Sequence, residues 1–585
     1  MPHHSFHIPV MGTGFTIDTP LKVAHLGIAS VISLVDDRLI DRVRLFHCER
    51  EGRHAQPIAE GTPDARARRI REYLDLVDRL VRERTEAVRS APFEPGSTIE
   101  RYFRLLDPSS PAAAGYRKAA ALPEGGDKTR AYEALRSHVA AGATDVNIMT
   151  KQDRLYERPG APATRESSDA MAALRGFAES ALEGAVVFSA GLNLHLYGYV
   201  EEFGGFYPDE RGHVRKKVIL KVSDFRSAHI QGKIFAKKGV WVWEYRVESG
   251  LNCGGHAFPT EGRLLGPVLE EFRIKREALA AELFPLYRQA LEKRGLRAPA
   301  AAPAFRVTAQ GGIGTSAEHN FLIRHYELDS AGWGSPFLLA PDVTNVDGPT
   351  LVKLAALEPG DIRLSDSSPL GIPFYTLDSS ASERARLRRI AEGHPGSPCP
   401  FGYLAFNTEF GKPLCTASRE YQMLKLRALR GAVGPDDPEW ERRTAEITGK
   451  ACICHDLGGG VLIKYDLSGL GRELAPAVCP GPNLVHFSGV TSLDAMADHI
   501  YGRVPLAGMK PGRPHCLIQE IKLYIDHLSR VGAGARDTFA KNLSEGIAYY
   551  TRLAAQLAEE SSEAQAAFLR ELDSARAELK SLTGI

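Results

Sequence analysis

The chain has 585 residues, with 73 Lys and Arg against 72 Asp and Glu and 43% apolar residues. That length suggests about three domains, the charge balance gives no general pull toward nucleic acid or anionic membrane, and no apolar run reaches the roughly 18 residues of a membrane span. The opening stretch, MPHHSFHIPVMGTGF, lacks the order of a secretory leader, so the expected compartment is the cytoplasm, where the eight cysteines are expected as thiols, metal ligands or catalytic groups rather than disulfides.

FHIPVMGTGF (6–15) predicts a strand that opens into a Gly-Thr-Gly loop. TPLKVAHLG (19–27) predicts a helix with Thr19 at the cap and Pro20 at its first position, and IASVISLVD (28–36) a strand buried on both faces. Residues 48–140 interrupt this rhythm. They contain a charged helix, 65–90, with Ile70, Leu74, Val77 and Val81 on one stripe, and are expected as a helical insertion. Arginines on that helix could contact an anion or RNA, but ion pairs along a solvated face account for them more simply.

Strand and helix then alternate again: TDVNIMT (144–150), a capped helix at 167–184, AVVFSAGLN (185–193), KKVILKVSDF (216–225), a helix at 227–239, VWVWEYRVESG (240–250), FRVTAQGG (305–312) and DSAGWG (329–334). Eight strands alternating with helices are what a (β/α)8 barrel needs, and paired glycine loops near the end favour the barrel over an open sheet. The expected barrel occupies 1–47 and 141–340. After it come a connecting segment (341–395), with SSPLGIPFYTL as a loop on the barrel, a cysteine-rich region (396–516) and a helical tail (517–585) suited to capping or to a homo-oligomer contact.

The late glycines lie where a barrel offers a phosphate site. Gly311, Gly312 and Gly314 follow the seventh strand and Gly334 the eighth, and without Cβ atoms their amides can approach a phosphate. Cys253-Gly254-Gly255-His256 follows the sixth strand, where a histidine can serve as acid, base or hydrogen-bond donor.

ESGLNCGGHAF, AQGGIGT and GWGSPFLLAP together resemble the nitronate monooxygenase and flavin-dependent enoyl-ACP reductase superfamily, as does the opening IPVMGTG. The resemblance covers roughly 6–340 less the insertion. It implies a barrel that binds FMN through Gly311, Gly312, Gly334 and Ser335, with Met11 and Gly12 beside the ring and Lys221 within reach of it. It also implies His256 as the catalytic residue. Cys253 could protonate or bond covalently to a substrate carbon, or simply pack under the ring. The chain departs from the family in having Cys-Gly-Gly-His for Ala-Gly-Gly-His, Gly-Trp-Gly-Ser-Pro-Phe for Gly-Thr-Arg-Phe, and a longer segment after the histidine.

Cys399, Cys415, Cys452, Cys454 and Cys479 fall in Gly- and Pro-rich loops of the C-terminal region. Thiolates so placed can hold a [4Fe–4S] cluster or zinc; the first four are the preferred set, with Cys479 or His455 as substitutes. HDLGGGVLIKYDL (455–467) lacks the dinucleotide fingerprint and is expected as a tight turn leading to a strand. The reading is an FMN-dependent oxidoreductase of a small organic substrate, served by an electron-carrier protein or NAD(P)H. The alternatives are a flavin oxidase or monooxygenase with structural zinc, and a flavin-dependent RNA-modifying enzyme, against which the neutral net charge argues.

Overall fold

Runs such as SVIS and VILKV extend rather than coil, because branching at Cβ restricts χ1 and fits a pleated surface. Eight strands form: β1 (Phe6–Ile8), β2 (Ala29–Ser33), β3 (Thr144–Met149), β4 (Gly184–Ser189), β5 (Lys216–Val222), β6 (Val242–Glu248), β7 (Arg306–Gln310) and β8 (Ser330–Gly332). They pair in sequence order and in parallel, and β8 closes on β1 through Phe6–Ala331 and His7–Gly332. The fold is thus the expected closed (β/α)8 barrel. The computed structural model describes residues 3–150, 153–155, 167–189, 191–251, 256, 260–467, 474–530, 533–554 and 562–583. No helix among them is long and apolar enough to cross a membrane.

α1 (Thr19–Val23) joins β1 to β2. Between β2 and β3 lie α2 (Asp37–Arg50), α3 (Ala65–Ser90), α4 (Thr98–Leu105), α5 (Pro111–Ala120) and α6 (Gly126–Leu135). Then α7 (Asp169–Glu179), α8 (Leu194–Tyr199), α9 (Phe225–Ala236), α10 (Leu265–Lys293) and α11 (Ser316–His325) follow β3 to β7 in turn.

The segment read as an insertion divides in two. α3 buries Ile70, Tyr73, Leu74 and Val77 in the main core, so it belongs to the ring of helices, while α4 to α6 build a satellite core around Ile99, Tyr102 and Phe103. Several α3 arginines are held by carboxylates. Arg66 and Arg69 meet Asp37 at 2.6 and 2.7 Å, Arg82 meets Asp78, and Arg84 meets Glu51.

After β8 come α12 (Gly348–Leu354), a ribbon of β9 (Ile362–Ser365) and β10 (Phe374–Leu377), then α13 (Ala381–Ala391), α14 (Arg419–Ala432), α15 (Pro438–Thr448), α16 (Gly459–Lys464), α17 (Leu493–Ile500), α18 (Cys516–Leu528), α19 (Ala533–Leu553) and α20 (Ser562–Thr583). Two expectations change here. The end of SSPLGIPFYTL is not loop but β10, antiparallel to β9. GGVLIK is helix rather than a turn into a strand, because glycines let this segment sit against the barrel: a Cβ on Gly14 would lie 3.0 Å from Gly458 Cα, and one on Gly460 3.0 Å from Asn345 O. Ile453, Leu457, Val461, Leu484, Met496 and Ile518 share the barrel's core, so the C-terminal region packs onto the barrel.

Burial holds five histidines, His4, His25, His256, His319 and His486, down at about 4. Between about pH 6.5 and 4 the unfolded chain protonates these rings and the folded chain does not, so stability is lost as pH falls through that window. Asp145 and Glu520, raised by burial to about 6 and 7, act in the opposite direction but are fewer. A fully buried ring such as His4 alone accounts for about 3 kcal/mol. The melting temperature should therefore drop steeply from pH 6.5 to 4; a flat profile there would contradict the burial of these rings.

Candidate active site and thiol cluster

His256 lies at the C-terminal mouth of the barrel, beyond β6. It is 8% exposed, its Nε2 is 2.9 Å from Ser368 Oγ, and its ring meets Phe374 edge-on at 4.9 Å. The β9–β10 ribbon therefore holds the histidine from above. Burial, then the charge of Lys221, lowers its pKa to about 4, so the imidazole is neutral at pH 7. Cys253 lies outside the described residues.

Lys221 does point into the mouth, but as half of an ion pair. Its Nζ donates to Glu248 Oε1 at 2.9 Å, and Gln310 Nε2 donates to the same oxygen at 2.8 Å. The resemblance implied only that Lys221 reaches the ring; closure of β5, β6 and β7 side by side supplies its partner.

Both ends of the loop that carries His256 are fastened by one side chain. Glu520 of α18 accepts the Ser249 hydroxyl at 2.8 Å, the Gly250 amide at 3.1 Å and, on its other oxygen, the Leu265 amide at 2.8 Å. The last of these serves as an N-cap for α10, whose own cap residue, Leu264, has no side-chain acceptor.

The glycine loops after β7 and β8 present unpaired donors. The amides of Gly311, Gly312, Ile313 and Gly334 make no hydrogen bond to another described residue. Gly311 and Gly312 have φ of +115° and +76°, and a Cβ on Gly312 would sit 2.5 Å from Leu251 Cδ1, so only glycine fits. Gly311, Ile313 and Gly334 are buried and Gly312 partly so; buried amides rarely stay unpaired, and donors grouped after the last two strands of a barrel suit a phosphate. The residues fit FMN on this test. Ser335 is less available than expected, since its Oγ accepts the Gly481 amide at 3.1 Å.

After the neighbouring strand, β1, Met11 is buried, and the Gly12 amide lies close to the Cys479 thiol. Burial raises the Cys479 thiol to about 12. Cys479 thus lies at the barrel mouth and is not among the cysteines that line a common cavity.

The other four share a cavity. Cys399 and Cys415 come from the α13–α14 loop and Cys452 and Cys454 from the loop after α15, and together they line one cavity of about 500 Å³, walled mostly by proline, alanine, leucine and backbone. The Cys452 thiol lies beside those of Cys399 and Cys454. The Cys399 thiol is raised above its ordinary value by its bond to Cys452 and then by burial, and Cys415 to about 11 by burial. A metal cation reverses that ordering by binding thiolate. One tetrahedral zinc, with Zn–S near 2.3 Å, requires four sulfurs about 3.8 Å apart. Among the described residues no three of these sulfurs lie within 4.8 Å of one another. The site also touches the barrel: Thr13 Oγ1, next to Gly12, donates to Cys454 O at 2.9 Å.

A tight trio of other ligand types, Glu318, His515 and Cys516, is a poor metal site. Glu318 already accepts from Arg513, from the Cys516 amide and from the Gly314 and Thr315 amides. Burial works against its charge but Arg513 prevails, holding its carboxyl near 2.

Ser368, Asn483, Arg513 and Glu520 were not among the residues singled out from sequence. Each acts on a barrel loop at least 112 positions away in the chain, and nothing in their local sequence marks them.

No protein-family model and no curated protein matches the chain. Among solved structures it is similar to FabK from Thermotoga maritima, at 13% identity over 67% of this chain and 87% of that one, with a TM-score of 0.31. It is similar too to the enoyl reductase domain of MlnA from the macrolactin biosynthesis cluster of Bacillus amyloliquefaciens, at 13% identity, 64% and 84% coverage and a TM-score of 0.32. A third is a nitroalkane oxidase from Streptomyces ansochromogenes, at 10% identity, 85% and 94% coverage and a TM-score of 0.33.

Proposed function

We propose that the chain is an FMN-dependent oxidoreductase of a small organic substrate, one with an electron-poor double bond, a nitronate or a similarly acidic carbon. We further propose that an iron–sulfur cluster on Cys399, Cys415, Cys452 and Cys454 passes electrons to it from an electron-carrier protein or NAD(P)H. The observation that carries the flavin reading is the set of unpaired amides at Gly311, Gly312, Ile313 and Gly334, at the same mouth as a buried histidine.

FMN, when bound, supplies hydride or single-electron transfer, and a cluster supplies single electrons. The chain's own residues do the rest. The β7 and β8 loops hold the phosphate. Neutral His256, steadied by Ser368, is a hydrogen-bond partner for a substrate oxygen or an acid–base group of low basicity. The Lys221–Glu248 pair adds little net charge beside the ring, so Lys221 orients more than it attracts.

The test is an absorption spectrum of protein purified without oxygen, with flavin, iron and zinc measured on the same sample. Two flavin bands over a broad brown shoulder are expected. Flavin with zinc would leave an oxidase or monooxygenase with a structural metal, and a colourless protein that takes up no FMN would end the flavin reading. His256→Ala should lower turnover at least about a hundredfold while flavin content holds; unchanged turnover removes His256 from the chemistry.

A further inference from the structure

The loop after β7 is held from behind by a distant part of the chain. Three successive carbonyls each accept a side-chain N–H: Gly312 O from Arg513 Nη2 at 2.6 Å, Ile313 O from Asn483 Nδ2 at 3.1 Å, and Gly314 O from His499 Nε2 at 2.9 Å. The donors also brace one another. Arg513 Nε donates to Asn483 Oδ1 at 2.6 Å, and Arg513 Nη1 to Glu318 Oε1 at 2.6 Å. His499 Nδ1 accepts the Leu506 amide at 3.2 Å, which leaves Nε2 as the protonated nitrogen.

A trans peptide carries its C=O and N–H on opposite edges. Fixing the Gly312 carbonyl to Arg513 therefore turns the unpaired Ile313 N–H the other way. The next two peptides are gripped on both edges, by Asn483 and His499 at their carbonyls and by Glu318 Oε2 at the Gly314 and Thr315 amides, 2.8 and 3.2 Å away. The Arg513 guanidinium packs so closely that a Cβ on Gly314 would lie 2.6 Å from it. A glycine-rich loop is otherwise free to rotate its peptides, and a rotated peptide would present a carbonyl oxygen where a phosphate needs a donor.

We infer that Arg513, Asn483 and His499 are positioning residues for a phosphate-monoester site: they lock the β7 loop with its amides facing the ligand. The inference rests on the reading of this mouth as the FMN site. The C-terminal region is then part of the cofactor site although it contributes no ligand atom of its own to the phosphate. Preorganisation of this kind raises affinity by removing the ordering cost of binding.

The test compares FMN with riboflavin, which lacks the phosphate, by quenching of flavin fluorescence on the full-length chain stripped of any flavin it carries. In Asn483→Ala the FMN dissociation constant should rise about tenfold and that of riboflavin stay within about twofold. Arg513→Gln and His499→Gln should shift FMN in the same direction, and inorganic phosphate should compete with FMN in the wild type. Equal weakening of both flavins, or unchanged FMN affinity in all three variants, overturns the inference. So does loss of the fold in all three, which would assign these residues to stability alone. A folded wild type that binds neither flavin defeats the FMN reading itself, and is told apart because the variants then have nothing to lose.

Discussion

Changing Cys452 to serine is expected to remove more than about nine-tenths of the bound iron and the absorbance shoulder that accompanies it. Cys452 lies beside both Cys399 and Cys454, and is 7% exposed. A serine hydroxyl is a hard, poorly ionised donor and cannot replace a thiolate on a soft metal. Cys454→Ser should act alike and also disturb the Thr13 contact through which the thiol site meets the barrel. Cys479→Ser is the control. Its thiol lies by the Gly12 amide and does not line the cavity, so iron should stay. Flavin content should hold in Cys452→Ser, because the phosphate loops lie on β7 and β8. Iron retained at the wild-type level in Cys452→Ser and Cys454→Ser would exclude the cavity as a ligand site. Iron lost only in Cys479→Ser would move the cluster to the barrel mouth.

The barrel was legible because each strand is written in a short, nearly unbroken apolar run, and parallel strands buried on both faces need little else. The thiol set was legible in part. Cysteines followed by proline and a C-x-C pair marked loops able to converge, and four of the five line one cavity. Spacing could not set Cys479 apart, since its place depends on how the segment before Gly481 crosses the mouth to reach Ser335. α3 was legible in kind but not in every partner. Its sequence points to ion-paired arginines, and Arg82 does pair with Asp78 along the helix, but only the packed structure shows Asp37 of α2 between Arg66 and Arg69. Lys221 was visible as a strand cation, but Glu248 becomes its partner only when β5 and β6 pair with Val222 opposite Val247. What went unread is mainly the long-range bracing of loops, which leaves no local pattern.

Glu520 is where that bracing should be most costly to lose. Its carboxylate is 1% exposed and takes three donors, from both ends of the loop that bears His256. Glu520→Ala leaves the Ser249 hydroxyl and the Gly250 and Leu265 amides without their acceptor, at about 1–3 kcal/mol for each orphaned group. Partial relaxation brings the expected loss to about 4 kcal/mol, a fall of about 5 °C or more in melting temperature. Turnover should fall too, since the freed loop carries the histidine. Glu520→Gln separates geometry from charge. Burial raises the Glu520 carboxyl to about 7, with Cys516 on its own helix and Tyr550 of α19 as its titratable neighbours and no cation among its hydrogen-bond partners. Above the unfolded value near 4.5 the unfolded chain gives up this proton while the folded chain keeps it. The stability this proton gives is therefore full below about pH 4.5 and lost as pH rises through 7. Glutamine cannot ionise, so the gap in melting temperature between wild type and Glu520→Gln should be widest near pH 5 and narrow toward pH 8. A gap that is constant across that range would mean that Glu520 is not the group titrating there, and a negligible gap in Glu520→Ala would mean that the staple bears no load.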